Sequence, residues 1–254
     1  MVTILLPEKS TTQQLIENIT SQLESVCADL EIAIIGGHTE ITHGLDRPIL
    51  IGTMLATVSK NQLITPRGIR AGDDLILTKG VPIEATAILS RKFSSELSQV
   101  LETDELKRAA SFLHQPGISV LEDAKIAVKS GQVTGMHDPT EGGLASALWE
   151  MAHAAGCSLV FETGAVPIPK ISLKICQALK INPLAAISSG ALLVASPVRD
   201  SGNVVNALNE AGISSARIGY FEKGDPAVWQ IKDGKKTQLP WPERDEIARI
   251  LDER

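Results

Sequence analysis

A chain of 254 residues with 43% hydrophobic and 21% charged content can build one large core or two modest ones, which excludes a disordered polymer and a small disulfide-stapled module. Lys and Arg total 24 against 30 Asp and Glu, a net charge of -6, and aromatic residues make up only 3%, so neither a broad basic surface nor a stacking platform for nucleic acid is expected. The three cysteines, Cys27, Cys157 and Cys176, are far apart with no CxxC spacing, which excludes a zinc cage or disulfide framework and reads as a cytoplasmic protein.

The chain opens on a strand pattern, Val2 to Leu6, stopped by Pro7. This apolar start is too short for a signal peptide or a spanning helix, and no membrane partner is expected. Ser10-Thr11-Thr12 then caps a predicted helix reaching about Leu30, with Leu15, Ile16, Ile19, Leu23 and Val26 on one face. A second strand is predicted at Ile32 to Ile35, closed by Gly36-Gly37, and an apolar run from Ile49 to Val58 follows a turn around His43 to Asp46. Apolar content falls between Ser59 and Asp73 while Pro66, Gly68 and Gly72 cluster, which predicts a crossing between a first domain over 1–66 and a second over 73–254.

The second domain is predicted to begin with a strand at Leu75 to Thr78, followed by helices at Ile83 to Leu97, Asp104 to Leu113 and Ser119 to Lys129. A short strand at Val133 to Met136 precedes a helix from Leu144 to Ala155 stopped at Gly156. Further strands are expected near Ser158 to Phe161, Leu192 to Ala195 and Ala216 to Tyr220, with a helix from about Asn203 to Ala211 and a terminal helix at Glu243 to Leu251. The uncharged stretch Ile181 to Val198 reads as a buried loop and strand, and Asp233-Gly234 is a hairpin signal. The predicted fold class is α+β, with mixed sheets and helices packed on one side of each.

Three glycine-marked segments carry chemistry. In Gly36-Gly37-His38-Thr39-Glu40 the paired glycines let a backbone approach a ligand, while the next three side chains offer a nitrogen, a hydroxyl and a carboxylate to a phosphate or its magnesium. The same residues would equally make a tight strand-end turn facing water. In Asp138-Pro139-Thr140-Glu141-Gly142-Gly143, Asp138 or Thr140 can cap the following helix, and the glycines would leave N–H groups open to an anion. A capping box without a ligand is the alternative. Ser188-Ser189-Gly190-Ala191 reads as a turn, Cys157 and Cys176 as small core residues, and His114 and His153 lack partners at metal-ligand spacing.

Four longer segments, Ile32 to Thr42, Gly72 to Leu89, Gly135 to Ala152 and Ser188 to Ala195, in this order, resemble the AIR synthase (PurM-like) superfamily, most closely its HypE-type hydrogenase maturation branch. The resemblance implies a PurM/HypE-like two-domain fold, homodimeric through the first domain's sheet, with ATP and Mg2+ in the cleft between domains. Carried over residue by residue, it implies metal ligation by His38, Glu40 and Asp138. It implies phosphate contacts from Gly36, Gly37, Thr39, Thr140, Gly142 and Gly143, with Thr78, Lys79 and Gly80 also facing the ligand. The implied function is ATP-dependent activation of an oxygen by phosphorylation, on a small-molecule or protein-tail substrate, with other maturation proteins as partners. Another kinase or ligase of the superfamily, acting on a thiamine-like, purine-like or selenide substrate, and a non-catalytic binding or assembly module are the alternatives. Two departures shape the expectations. Family members usually begin with a further acidic, glycine-rich segment, so weak Mg-ATP binding with little or no hydrolysis is expected. HypE proteins also end in a carbamoyl-accepting cysteine, whereas no cysteine follows Cys176 here, so that reaction on the chain's own tail is not expected.

Overall fold

In the computed structural model, which describes residues 1–253, the β-branched and aliphatic run Val2–Pro7 forms β1. Thr12 then caps α1 (Gln13–Asp29), its hydroxyl accepting the Leu15 N–H at 3.2 Å. β2 (Gly37–Thr42) runs parallel to β1, and β3 (Ile49–Gly52) antiparallel to it, giving the order β2-β1-β3. These elements form one compact unit, Met1–Leu63; the second begins at Ile64.

Only Ile4 and Leu6 of the first unit's large aliphatic residues are fully buried, and α1 buries none. The predicted stripe Leu15, Ile16, Ile19 and Leu23 is half-buried, while Val26 is exposed. A three-stranded sheet is too narrow to cover a 17-residue helix.

The strand expected at Ile32 to Ile35 does not form. Ile34 and Ile35 are exposed, and the strand starts at Gly37, so the glycine pair opens a strand instead of closing one. The register explains this: Gly37 lies opposite Val2, and a Cβ there would come 1.9 Å from the Val2 carbonyl oxygen. The next apolar run makes only four residues of strand, leaving Met54, Leu55 and Val58 exposed.

In the second unit, β4 (Asp73–Thr78) leads to α2 (Ile83–Lys92), α3 (Ser94–Leu97), α4 (Thr103–Ala110) and α5 (Leu121–Ser130). β5 (Gly135–His137), α6 (Gly143–Ala155), β6 (Ser158–Glu162) and α7 (Lys170–Leu179) follow. Then come β7 (Leu193–Pro197), α8 (Val198–Glu210), β8 (Ser215–Glu222), β9 (Val228–Lys232), β10 (Lys235–Gln238) and α9 (Glu246–Glu253). The sheet order is β10-β9-β6-β8-β4-β7-β5, antiparallel except between β6 and β9. Asp233 and Gly234, both at positive φ (50° and 73°), turn the β9–β10 hairpin.

The mixed-sheet α+β architecture is present, but helices cover both faces of this sheet instead of one. Alternation along β4 decides it: Leu75 and Leu77 pack with Leu144, Leu148 and Met151 of α6, whereas Ile76 packs with Ala127 of α5 and Val204 and Leu208 of α8. A third apolar cluster ties α2, α7 and α9 together through Ile83, Leu89, Ile175 and Ile250. Helix α7 went unpredicted although Ile171, Ile175 and Leu179 recur at helical spacing and are buried. Helix α8 starts five residues earlier than expected, at Val198. Among the described residues no helix is long and apolar enough to cross a membrane.

Cys157 and Cys176 are buried, as their apolar surroundings suggest. Burial pushes the Cys176 thiol up to about 12, with Glu246 adding to the effect, and raises the Cys157 thiol with help from Asp73. Iodoacetamide at pH 8 is therefore expected to modify the native chain only at the half-exposed Cys27, with the other two reacting after unfolding. Peptide mass spectrometry reads this directly, and native labelling at Cys176 would contradict it.

Candidate functional site

Strand geometry splits the first predicted motif. Along β2 side chains alternate, so His38 and Glu40, opposite Thr3 and Leu5, share one face, with His38 Nε2 3.3 Å from Glu40 Oε2. Both are exposed. The Thr39 side chain, opposite the buried Ile4, falls on the other face; a cavity of about 260 Å³ is lined by Gly36, Gly37, His38 and Thr39 together with Thr20 and Glu24 of α1. The three side chains expected to act together are therefore two and one. Gly37 is required by the close approach to Val2, whereas a Cβ on Gly36 would meet nothing within 4 Å.

The second motif is largely consumed by the fold. Neither Asp138 nor Thr140 caps α6; its N-cap is Gly142, with no side-chain capping bond. The N–H groups expected to be open are taken: Gly142 donates to Asp245 Oδ2 at 2.7 Å, Gly143 to the Thr140 carbonyl at 2.9 Å and Ala145 to the Leu184 carbonyl at 2.8 Å. Asp245 thus supplies internally the negative charge that a helix N-terminus favours. Gly142 and Gly143 sit at φ 73° and 62°, and a Cβ would lie 2.0 Å from Ser146 Oγ at the first and 2.5 Å from the Ala186 carbonyl oxygen at the second. Their glycine identity is a packing requirement.

Left facing outward are Asp138, with 62% of its side chain exposed, and Thr140. Beside them His137 Nε2 lies 2.5 Å from Glu150 Oε2 on α6, and His137 Nδ1 lies 3.8 Å from Asp138 Oδ1. Ser188 is buried and donates to the Ala186 carbonyl, in keeping with a turn.

Thr78 and Lys79, expected from the resemblance to face the nucleotide together with Gly80, have their polar groups engaged within the fold. The Lys79 ammonium donates to the carbonyls of Ser119 (2.7 Å) and Gly190 (3.0 Å) and pairs with Asp123 Oδ2 at 2.9 Å, with 8% and 2% of the two side chains exposed. Those three partners occupy all three ammonium protons. The Thr78 hydroxyl donates to Asp123 Oδ1 at 2.6 Å and accepts the Leu192 N–H. A Cβ on Gly80 would lie 2.6 Å from the Pro167 carbonyl oxygen, at φ 100°. The segment fastens β4, α5 and the start of β7 to one another.

Sequence reasoning missed Glu150 and Asp245. Glu150 sits on a helix with no motif of its own, and Asp245 meets Gly142 across 103 residues, so neither leaves a local signal. Among the described residues no group of three or more His, Cys, Asp or Glu could hold a metal ion.

A mixed sheet clad by helices on both faces, with a DPTEGG turn leading into α6, defines an AIR synthase-type C-terminal domain. Residues 70–231 match the family described as AIR synthase related protein, C-terminal domain, and the chain belongs to that family. It is 25% identical over 229 residues to a putative hydrogenase expression/formation protein of Methanocaldococcus jannaschii, covering 89% of this chain and 65% of that one. It is 26% identical over 242 residues to the carbamoyl dehydratase HypE of Cupriavidus necator, covering 92% and 66%. The chain thus spans about two thirds of the length of these relatives. A solved structure of the hydrogenase maturation protein HypE in complex with ATP superposes with a TM-score of 0.72 at 18% identity, over 98% of this chain and 74% of that one.

Proposed function

We propose that the chain is a HypE-like protein that binds ATP with magnesium and uses it to activate an oxygen by phosphorylation in a maturation or biosynthetic pathway. The observation that carries the reading is the alignment of 92% of the chain with a carbamoyl dehydratase HypE. The side chains assigned to the metal are Glu40 and Asp138, the outward-facing carboxylates of the two motifs. Magnesium takes oxygen ligands and commonly keeps several waters while held by one or two carboxylates and the phosphates of its nucleotide. His38, a nitrogen donor, is assigned to orienting Glu40 and not to ligation. Of the predicted phosphate contacts, Gly36, Thr39 and Thr140 remain available.

A homodimer through the first unit belongs to the same reading, supported by the exposed Ile34, Ile35, Met54 and Leu55. Partner proteins of a maturation apparatus are the further class it implies. One observation favours a second reading, a binding or assembly module without turnover: the N–H groups of Gly142, Gly143 and Ala145 already have internal acceptors.

Calorimetry with Mg-ATP on the chain and on Glu40→Ala and Asp138→Ala tests the assignment. Binding is expected to require magnesium and to weaken about tenfold, ~1.4 kcal/mol, in each variant. Absence of ATP binding, or binding indifferent to magnesium and to both substitutions, sinks it. Phosphate release measured in the same samples separates the enzyme from the binding module.

A further inference from the structure

The largest cavity described, about 490 Å³, lies in the second unit between the turn Ser111 to Pro116 and the turn Gly212 to Ser214. Its size falls within the range of roughly 300–1,000 Å³ typical of small-molecule sites. No Asp or Glu lines it.

Three of its lining side chains, Arg108, Gln115 and Ser214, are donors with no internal acceptor among the described residues. The Arg108 guanidinium donates no hydrogen bond and joins no ion pair among the described residues, although neighbouring cations are all engaged: Lys107 with Asp104, Lys174 with Glu105 and Arg91 with the Ala110 carbonyl. The carboxylate one turn earlier on α4, Glu105, accepts from Lys174 at 2.7 Å and from the Glu102 N–H at 3.2 Å. The Gln115 carboxamide and the Ser214 hydroxyl likewise have no partner. A helix C-terminus disfavours an anion, but the carbonyls of α4 that border the cavity already have donors: Ser111 Oγ bonds the Arg108 carbonyl at 2.8 Å and Arg91 bonds that of Ala110 at 2.7 Å. Lys79, also on the wall, is neutralised by Asp123, and Glu105, which feels the Arg108 charge, is paired with Lys174, so Arg108 is the lining cation without an ion-pair partner among the described residues. Phe112, Pro116 and Ile213 add apolar surface to the lining.

We propose that this cavity binds a small organic anion, its carboxylate or phosphate head on Arg108 with Gln115 and Ser214, and its flat apolar body against Phe112 and Ile213. A guanidinium presents a planar fork of donors that matches either head group. The cavity shares no residue with the proposed nucleotide set, and the inference does not rest on that assignment.

Calorimetry of the full chain with benzoate, phenyl phosphate and the neutral benzyl alcohol provides the test. One or both anions are expected to bind while benzyl alcohol does not, and the tighter of the two identifies the head group. Arg108→Gln should weaken binding at least tenfold, and Ile213→Trp, which fills the cavity, should abolish it with unchanged circular dichroism. Asp138→Ala should leave it as it was. The proposal is overturned if neither anion binds at about 10 mM, if Arg108→Gln binds as tightly as the parent, or if Asp138→Ala removes binding.

Discussion

Asp123→Ala is expected to destabilise the second unit by about 3–5 kcal/mol, the cost of leaving a buried charge without its partner. Asp123 is 1% exposed, and its two oxygens take the Lys79 ammonium and the Thr78 hydroxyl. Removing the carboxylate strands the ammonium among carbonyls and frees the Thr78 hydroxyl, which also accepts the Leu192 N–H at the start of β7. Lys79 holds a left-handed backbone (φ 57°), a conformation kept only when the surroundings over-determine it, so the loss should propagate into the turn after β4. For a unit of this size the melting temperature should fall by about 10 °C. Because the penalty is that of an unpaired charge, Lys79→Met combined with Asp123→Leu should cost less than Asp123→Ala alone. Thermal unfolding of the three variants checks this ordering, and a change under about 1 kcal/mol for Asp123→Ala would remove the fastening role.

The glycines give the second large effect. Gly143→Ala is expected to cost about 3 kcal/mol or more, because its Cβ would lie 2.5 Å and 2.8 Å from the fixed carbonyl oxygens of Ala186 and Leu184 at φ 62°. At Gly142 the nearest atom is the Ser146 hydroxyl, the end of a side chain that can turn away, so Gly142→Ala should cost less. Gly36→Ala, with nothing within 4 Å, should stay within about 0.5 kcal/mol of the parent. Urea midpoints of the three variants test the assignment of these glycines to packing. Glycines present only for a ligand would give the opposite pattern: stability untouched at Gly143 and nucleotide binding impaired.

These cases show where local sequence suffices. Helix α6 was legible because its apolar residues recur at helical spacing and Gly156 ends it at φ 67°. The hairpin at Asp233-Gly234 was legible because few residues other than Asn, Asp and Gly take positive φ. The end of β4 at Thr78 and the N-cap of α1 were equally local. What tertiary structure alone decided is which groups those elements meet. The apolar signal at Ile32 to Ile35 is as strand-like as that of β2, and only the register that brings Gly37 against Val2 selects the later segment. Lys79 looks like a phosphate ligand until Ser119, Gly190 and Asp123, 40 to 111 residues away, take its protons. The α6 amides look open until Asp245 closes over Gly142 from the far end of the chain. Propensity and periodicity are written in neighbouring residues, so the sequence by itself determined most of the elements and the family, but not the strand at Gly37–Thr42 or helix α7. Most buried hydrogen-bond donors find an acceptor, and partners so distant in the chain come together only in the folded molecule, which is why the structure decided which candidate residues remain free to act.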